Sequence, residues 1–232
     1  MTRTLACLLC VGIITCGIPA FANPVFLSPS DYNPNQLLPS PPPEGSPAAA
    51  FEITELELIQ EKRTSADFAR ADSDFKTRNG SIFAGVIGPK FVLSDLPATS
   101  KMLDDVRSDE DAAANVAKDF FRRKRPWIVD PALKSCSKLD APDSSYPSGH
   151  STMGYAMAVV LASLIPAKAS AIMARASEYA ENRLVCGMHR RRDIQAGQVL
   201  GTVIADLLLH NASFKIEYEA ADKELQAKHV AE

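Results

Sequence analysis

Residues 147–166 read PSGHSTMGYAMAVVLASLIP. Ser148 suits a helix N-cap and Pro166 cannot continue a helix, so the stretch is bounded at both ends. Between them, Met153 to Pro166 is apolar with the exception of Ser163. It covers at most about four helical turns, too short for the roughly 30 Å of membrane hydrocarbon, and reads as a buried core helix. Val199 to Leu209 reads the same way. A chain with two such segments is built around helix packing.

Working outward, Ala167–Leu184 and Arg190 to about His210 are predicted as helices. Lys215–Glu232 is a polar helix that frays. Upstream, Ser108-x-x-Asp111 is a capping box that opens a helix to about Lys124, where Pro126 disfavours helical geometry at Arg125. Thr54-x-x-Glu57 is a second capping box, ahead of Leu58 and Ile59. Ile82–Val92 has some strand character, but Gly85, Gly88 and Pro89 favour a loop. Gly197-x3-Gly201 offers a close helix contact. The expected fold is an all-α, single-domain bundle over residues 51–232.

Two segments precede it. Residues 1–22 carry one positive charge (Arg3), an uncharged apolar run from Leu5 to Ile14 and the Ala20-Phe21-Ala22 pattern, and read as a cleaved secretory signal. Residues 23–50 form a Pro-rich arm: Pro24 to Pro47 hold eight of the sixteen prolines. The arm is either a disordered tail or, through Val25, Phe26, Leu27, Tyr32, Leu37 and Leu38, a strap packed across the body.

The 232 residues carry 25 Lys+Arg against 28 Asp+Glu, a net charge of -3, with 46% hydrophobic residues. That excludes a disordered chain and a generally basic nucleic-acid coat. Positive charge is concentrated at Arg122-Arg123-Lys124-Arg125 and from Arg183 through Arg190-Arg191-Arg192; taken alone, such runs are solvated faces. Cys7, Cys10 and Cys16 fall in the leader, leaving Cys136 and Cys186. A four-cysteine zinc site is out of reach. In an exported protein the remaining pair reads as a disulfide, with two buried thiols as the alternative.

Three clusters carry chemistry. Lys118 and Arg125 are seven apart, so on one helix they share a face and reach one small anion. Pro147-Ser148-Gly149-His150 opens a helix whose first N–H groups are free for a phosphate, with Gly149 allowing close approach and Ser148 capping or donating. In Arg183-x5-His189-x3-Asp193 the carboxylate can accept one imidazole N–H and leave the other nitrogen as a nucleophile.

The three clusters, in this order and spacing, resemble the signature of the type 2 phosphatidic acid phosphatase superfamily. Within it the chain is similar to the bacterial class A non-specific acid phosphatases, through the Pro-rich arm, Ser145-Tyr146 and Val185-Cys186-Gly187. One departure is Asn182, where that family's third motif begins with Ser. The resemblance implies a periplasmic, metal-independent acid phosphatase without cofactor, of broad range on small phosphate monoesters and homo-oligomeric. It implies that Lys118, Arg125 and Arg183, with Ser148 and the Gly149 N–H, hold the phosphoryl oxygens. His189 would attack phosphorus, Asp193 hold its ring, and His150 protonate the leaving alkoxide. An ordinary histidine titrates near about 6.5, which would place the optimum in mild acid. The rival readings are a phosphotransferase to alcohols, a lipid phosphatase, a vanadate haloperoxidase and a non-catalytic phosphate-binding protein. Neither nucleic acid nor membrane is expected as a partner.

Overall fold

A computed structural model describes residues 23–230. The proposed leader, residues 1–22, lies outside them. Among the described residues the protein is all-helical, with seven helices of twelve residues or more: α1 Pro47–Lys62, α2 Ser65–Lys76, α3 Pro97–Phe121, α4 Gly149–Leu164, α5 Ala169–Val185, α6 Arg191–His210 and α7 Ala212–Ala227. Residues 80–95 are short helical turns joined by loops.

Helix α4 is the axis. Ser148 is its N-cap, and twelve of its sixteen residues are buried, Met153, Met157, Val160 and Leu161 among them. At about 1.5–3 kcal/mol for each large apolar side chain, this burial is the main favourable term of the core. Helices α3, α5 and α6 surround α4. Gly197 and Gly201 place α6 directly on it: a Cβ at Gly197 would lie 2.6 Å from the Ser148 carbonyl oxygen, and one at Gly201 would collide with that of Thr152. This contact brings the start of α6 to the start of α4, where Ser148 N–H donates to the Asp193 carbonyl at 2.9 Å.

Two helix starts fall earlier than the capping boxes suggest. Helix α1 begins at Pro47 behind Ser46, whose hydroxyl accepts from Ala49 N–H, and α3 begins at Pro97. Proline at the first helical position forfeits no bond, so Thr54 and Ser108 are interior residues. Helix α3 also ends sooner, at Phe121, where Arg122 turns left-handed at φ 47°.

The arm packs. Leu27, Tyr32 and Leu38 are buried in the main core. The Asp109 carboxylate accepts the Phe26 and Leu27 N–H groups at 3.2 and 2.8 Å, and Asn211 Nδ2 donates to the Phe26 carbonyl at 3.1 Å. Cys136 and Cys186 form a disulfide that ties the loop after α3 to the end of α5. Among the described residues no single helix is long and apolar enough to cross a membrane.

Candidate active site

The N-terminus of α4, the end of α3, the end of α2 and the loop 140–144 surround a cleft of about 620 Å³. Lys118, Arg125, Gly149, His150 and His189 line it, with Phe75 and Arg78 at the mouth. Arg183, Ser148 and Asp193 stand behind this wall, each fully buried.

Lys118 and Arg125 do not share a helix. The left-handed turn at Arg122 breaks α3, and Arg125 is the N-cap of a separate short helix, Pro126–Val129. They converge because the chain folds back. Lys118 Nζ lies 3.0 Å, and Arg78 Nη2 4.0 Å, from the place a Cβ on Gly149 would occupy, so the bare glycine keeps open the space between two cations. Burial, then the Arg125 charge, push the Lys118 ammonium down. Glu110 is buried on α3 with neither carboxylate oxygen hydrogen-bonded, and burial followed by the Asp111 charge pushes it up.

Arg125 uses every donor it has. Nη1 donates to the Met188 carbonyl at 3.1 Å and to His189 Nε2 at 3.0 Å; Nη2 reaches Asp140 at 2.9 Å and Ser144 Oγ at 3.1 Å; Nε also reaches Ser144 Oγ, at 3.3 Å. A guanidinium only donates, so His189 Nε2 is an acceptor, its lone pair engaged by Arg125 Nη1. The proton therefore sits on Nδ1, which donates to the Ser145 carbonyl at 2.8 Å.

That contact corrects the expected geometry. The backbone carbonyl, rather than Asp193, takes the imidazole N–H; Asp193 Oδ2 is 3.6 Å from Nδ1. The reason is local: α6 starts at Arg191, so His189 precedes the helix while Asp193 is its third residue. There Oδ2 accepts from Arg190 N–H at 2.8 Å and from Ser145 Oγ at 2.6 Å.

Neither histidine titrates near its ordinary value. Burial first, then the Arg125 charge, lower His189 to about 3, with Asp193 working in the opposite direction. Burial, Arg183 and Arg78 hold His150 well below the usual range. Both rings are therefore neutral, so an acid optimum does not come from the ordinary imidazole titration. His150 Nε2 donates to the Phe75 carbonyl at 3.0 Å, leaving Nδ1 as the unprotonated nitrogen. Its ring stacks on Phe75, centroids 5.9 Å apart, and tilts against Tyr179 at 5.7 Å.

Arg183, in the last turn of α5, lies over the Phe75 ring at 5.2 Å. Its Nε and Nη1 are buried without a hydrogen-bond partner. Burial lowers it to about 10, so it stays a cation. Ser148 is occupied as a cap: its Oγ accepts from Ser151 N–H at 3.4 Å and from Ser151 Oγ at 3.1 Å. Asn182 turns away from the cleft and donates to Asp74 of α2 at 2.7 Å. At the site its change from Ser bears on the seating of α5 against α2.

Sequence reasoning passed over several residues that touch the site's machinery. Arg78 and Phe75 follow no motif. Arg123, read as part of a solvated run, is buried and holds Asp193 Oδ1 at 2.5 Å. Among the described residues, no three His, Cys, Asp or Glu side chains converge as a metal site.

The family model of the PAP2 superfamily, the type 2 phosphatidic acid phosphatases, matches residues 110–217, which span the three clusters. An acid phosphatase of Zymomonas mobilis is 31% identical over 201 residues, covering 84% of this chain and 76% of the relative. A non-specific acid phosphatase of Salmonella typhi is 30% identical over 187 residues, 77% of this chain and 74% of its own. One from Providencia stuartii is 28% identical over 196 residues, 81% and 79%. The chain belongs to the PAP2 superfamily, among its acid phosphatases.

Proposed function

We propose that the protein hydrolyses small phosphate monoesters through a phosphohistidine on His189 Nε2. The observation that carries this reading is one wall of the cleft. It holds a neutral imidazole whose Nε2 accepts from the Arg125 guanidinium, and behind it lie two buried Arg183 nitrogens without partners. Buried donors left unpaired cost about 1–3 kcal/mol each, and an anion with several acceptor oxygens removes that cost.

The ester phosphate enters between Lys118, Arg125 and Arg183, and takes the Arg125 Nη1 donor from His189. Nε2 then attacks phosphorus in line as the ester P–O bond breaks. The N–H of Gly149, at the start of α4, faces the phosphoryl oxygens. His150 donates a proton to the leaving alkoxide. Burial, then the Arg183 and Arg78 charges, hold His150 neutral; the bound phosphate favours its charged form by offsetting those two cations. The imidazole then takes a proton from the water that attacks phosphohistidine, and phosphate leaves. Asp193 faces the positive ring of the intermediate. Apart from Phe75 and Ala141 the cleft is lined mainly by polar and charged residues, which supports a broad substrate range. We further infer export through residues 1–22 to the periplasm and a homo-oligomeric state, both in line with the class of enzyme.

The test is turnover of a chromogenic phosphomonoester from pH 4 to 8 with excess chelator, beside His189→Ala. Activity that survives chelation, vanishes in the variant and leaves labelled phosphate on His189 after a rapid alkaline quench supports the proposal. Label mapping to another residue refutes it.

A further inference from the structure

The carboxylate of Asp193 is shared: Oδ2 accepts from Ser145 Oγ and the Arg190 N–H, and its two charged or chargeable side-chain neighbours are His189 and Arg123. Oδ2 faces His189, while Oδ1 accepts from Arg123 Nη1 at 2.5 Å. At its other end Arg123 Nη2 donates to Glu52 Oε2 at 2.5 Å, and Glu52 Oε1 accepts from Arg192 N–H at 2.7 Å. The side chains of His189, Asp193, Arg123 and Glu52 are 3%, 0%, 2% and 6% exposed, so the line of charges is shielded from water along its length. It joins three remote segments. Glu52 is on α1, Arg123 in the turn after α3, and Asp193 in the first turn of α6. Two more glutamates from the same N-terminal region grip the α6 start: Glu44 pairs with Arg190 at 2.6 Å and Glu55 with Arg191 at 2.6 Å.

We propose that Arg123 and Glu52 are positioning residues of the reaction, which meter how strongly Asp193 stabilises the positively charged ring of phosphohistidine. The inference rests on the reading of His189 as nucleophile. A carboxylate facing only the ring would lower the energy of the intermediate and slow its attack by water. Arg123 draws on the same carboxylate from the far side, so the intermediate stays reactive. Glu52 sets how hard Arg123 pulls. Burial alone would push the Asp193 carboxyl up; the Arg123 charge, with His189 and Arg190, overrides it and holds Asp193 well below the usual carboxylate range. The carboxylate thus remains charged, and its division between ring and guanidinium is what changes.

Opposite effects on the intermediate follow from the two ends of the line. Glu52→Gln leaves Arg123 uncompensated, its pull on Asp193 increases, and phosphorylation of His189 slows. The double variant Glu52→Gln/Arg123→Met deletes the pair without leaving Glu52 as a lone buried carboxylate. Asp193 then keeps its neutral donors, Ser145 Oγ and the Arg190 N–H, but loses the guanidinium on Oδ1, so the ring feels more of its charge and dephosphorylation slows. Rapid alkaline-quench measurements with a labelled phosphomonoester read the occupancy of phosphohistidine at steady state. Occupancy is expected to fall at least threefold in Glu52→Gln and to rise at least threefold in the double variant, with kcat lower in both. A structural role alone would move occupancy the same way in both. Equal or same-signed changes in variants with wild-type near-UV circular dichroism overturn the inference. If either variant fails to fold, Glu52→Asp and Arg123→Lys, which keep the charges, must restore occupancy to within twofold of wild type; failure to do so also overturns it. Wild-type protein that turns over without labelling His189 refutes the nucleophile reading itself, a result distinct from labelled wild type with unshifted variants.

Discussion

Arg183→Met is expected to make the protein more stable and nearly inactive. In the empty protein Arg183 is a fully buried cation with Nε and Nη1 unpartnered. Those two atoms cost about 1–3 kcal/mol each. The guanidinium recovers about 1 kcal/mol over the Phe75 ring, and methionine of similar length retains the packing. The net gain on substitution is about 2 kcal/mol, or about 4–8 °C in Tm for a chain of this size. With a phosphate bound the same two donors make charge-assisted bonds worth about 1.5–3 kcal/mol each, so kcat/KM should fall about 10²–10⁴-fold. Thermal unfolding with and without inorganic phosphate reads both signs. At about 100 times its Kd, phosphate stabilises the wild type by about 2.7 kcal/mol and should leave the variant unmoved. A variant less stable than wild type without phosphate, or one that phosphate still stabilises, refutes the assignment of these donors to the anion.

Further outcomes follow from the same geometry. Gly201→Ala drives a methyl into the Thr152 carbonyl oxygen and should cost about 1–3 kcal/mol in urea unfolding. Gly149→Ala meets only the mobile ends of Lys118 and Arg78, so stability should change little while KM rises about tenfold. Affinity for phosphate should weaken as pH rises through the region of 8. Lys118, lowered to about 8, is charged below that value and loses its charge above it, and Glu110, pushed up by burial, is neutral below and ionises above, so both titrations remove positive character from the cleft. Inhibition by inorganic phosphate measured from pH 5 to 9 checks this, and Glu110→Gln should soften the alkaline loss. Replacing both Cys136 and Cys186 by Ala opens a 50-residue closure and should lower stability by about 4 kcal/mol in the chain-entropy picture, read from denaturant midpoints.

The core helix and the three clusters were legible because each is local: apolar residues in one run, and polar groups at fixed spacing. What escaped depends on distance along the chain. The capping boxes at Thr54 and Ser108 fall inside helices that Ser46-Pro47 and Pro97 had already started, and a local pattern cannot report a helix in progress. The seven-residue spacing of Lys118 and Arg125 suggested one helix, yet the chain breaks at Arg122 without a glycine to mark it. Arg123 looked like its solvated neighbours, because its partners lie 70 and 71 residues away. The lowering of both histidines comes from burial and from the cations Arg125, Arg183 and Arg78, and no single motif contains all of these.

The arrangement of charge explains why a negatively charged chain can hold such a site. Lys118, Arg125 and Arg78 line one cleft with Arg183 buried behind it, and their mutual repulsion must be offset. Arg125 is offset by Asp140 and Arg78 faces Asp111, each across a single ion pair at the cleft's edge. Lys118 has the Asp111 carboxylate in its field. Of these four cations, Arg183 is the one with buried nitrogens left without a hydrogen-bond partner. The cations at the rim therefore have carboxylates that a substrate can displace, because water can solvate the released carboxylate at partly exposed Asp140 and Asp111. The cation at the floor has none, because a carboxylate buried there would compete with phosphate without that compensation. On the proposed reading, selectivity for a phosphoryl group over a smaller anion would follow from this division, since a ligand with several oxygens would be needed to satisfy Arg183 and replace the rim partners at once.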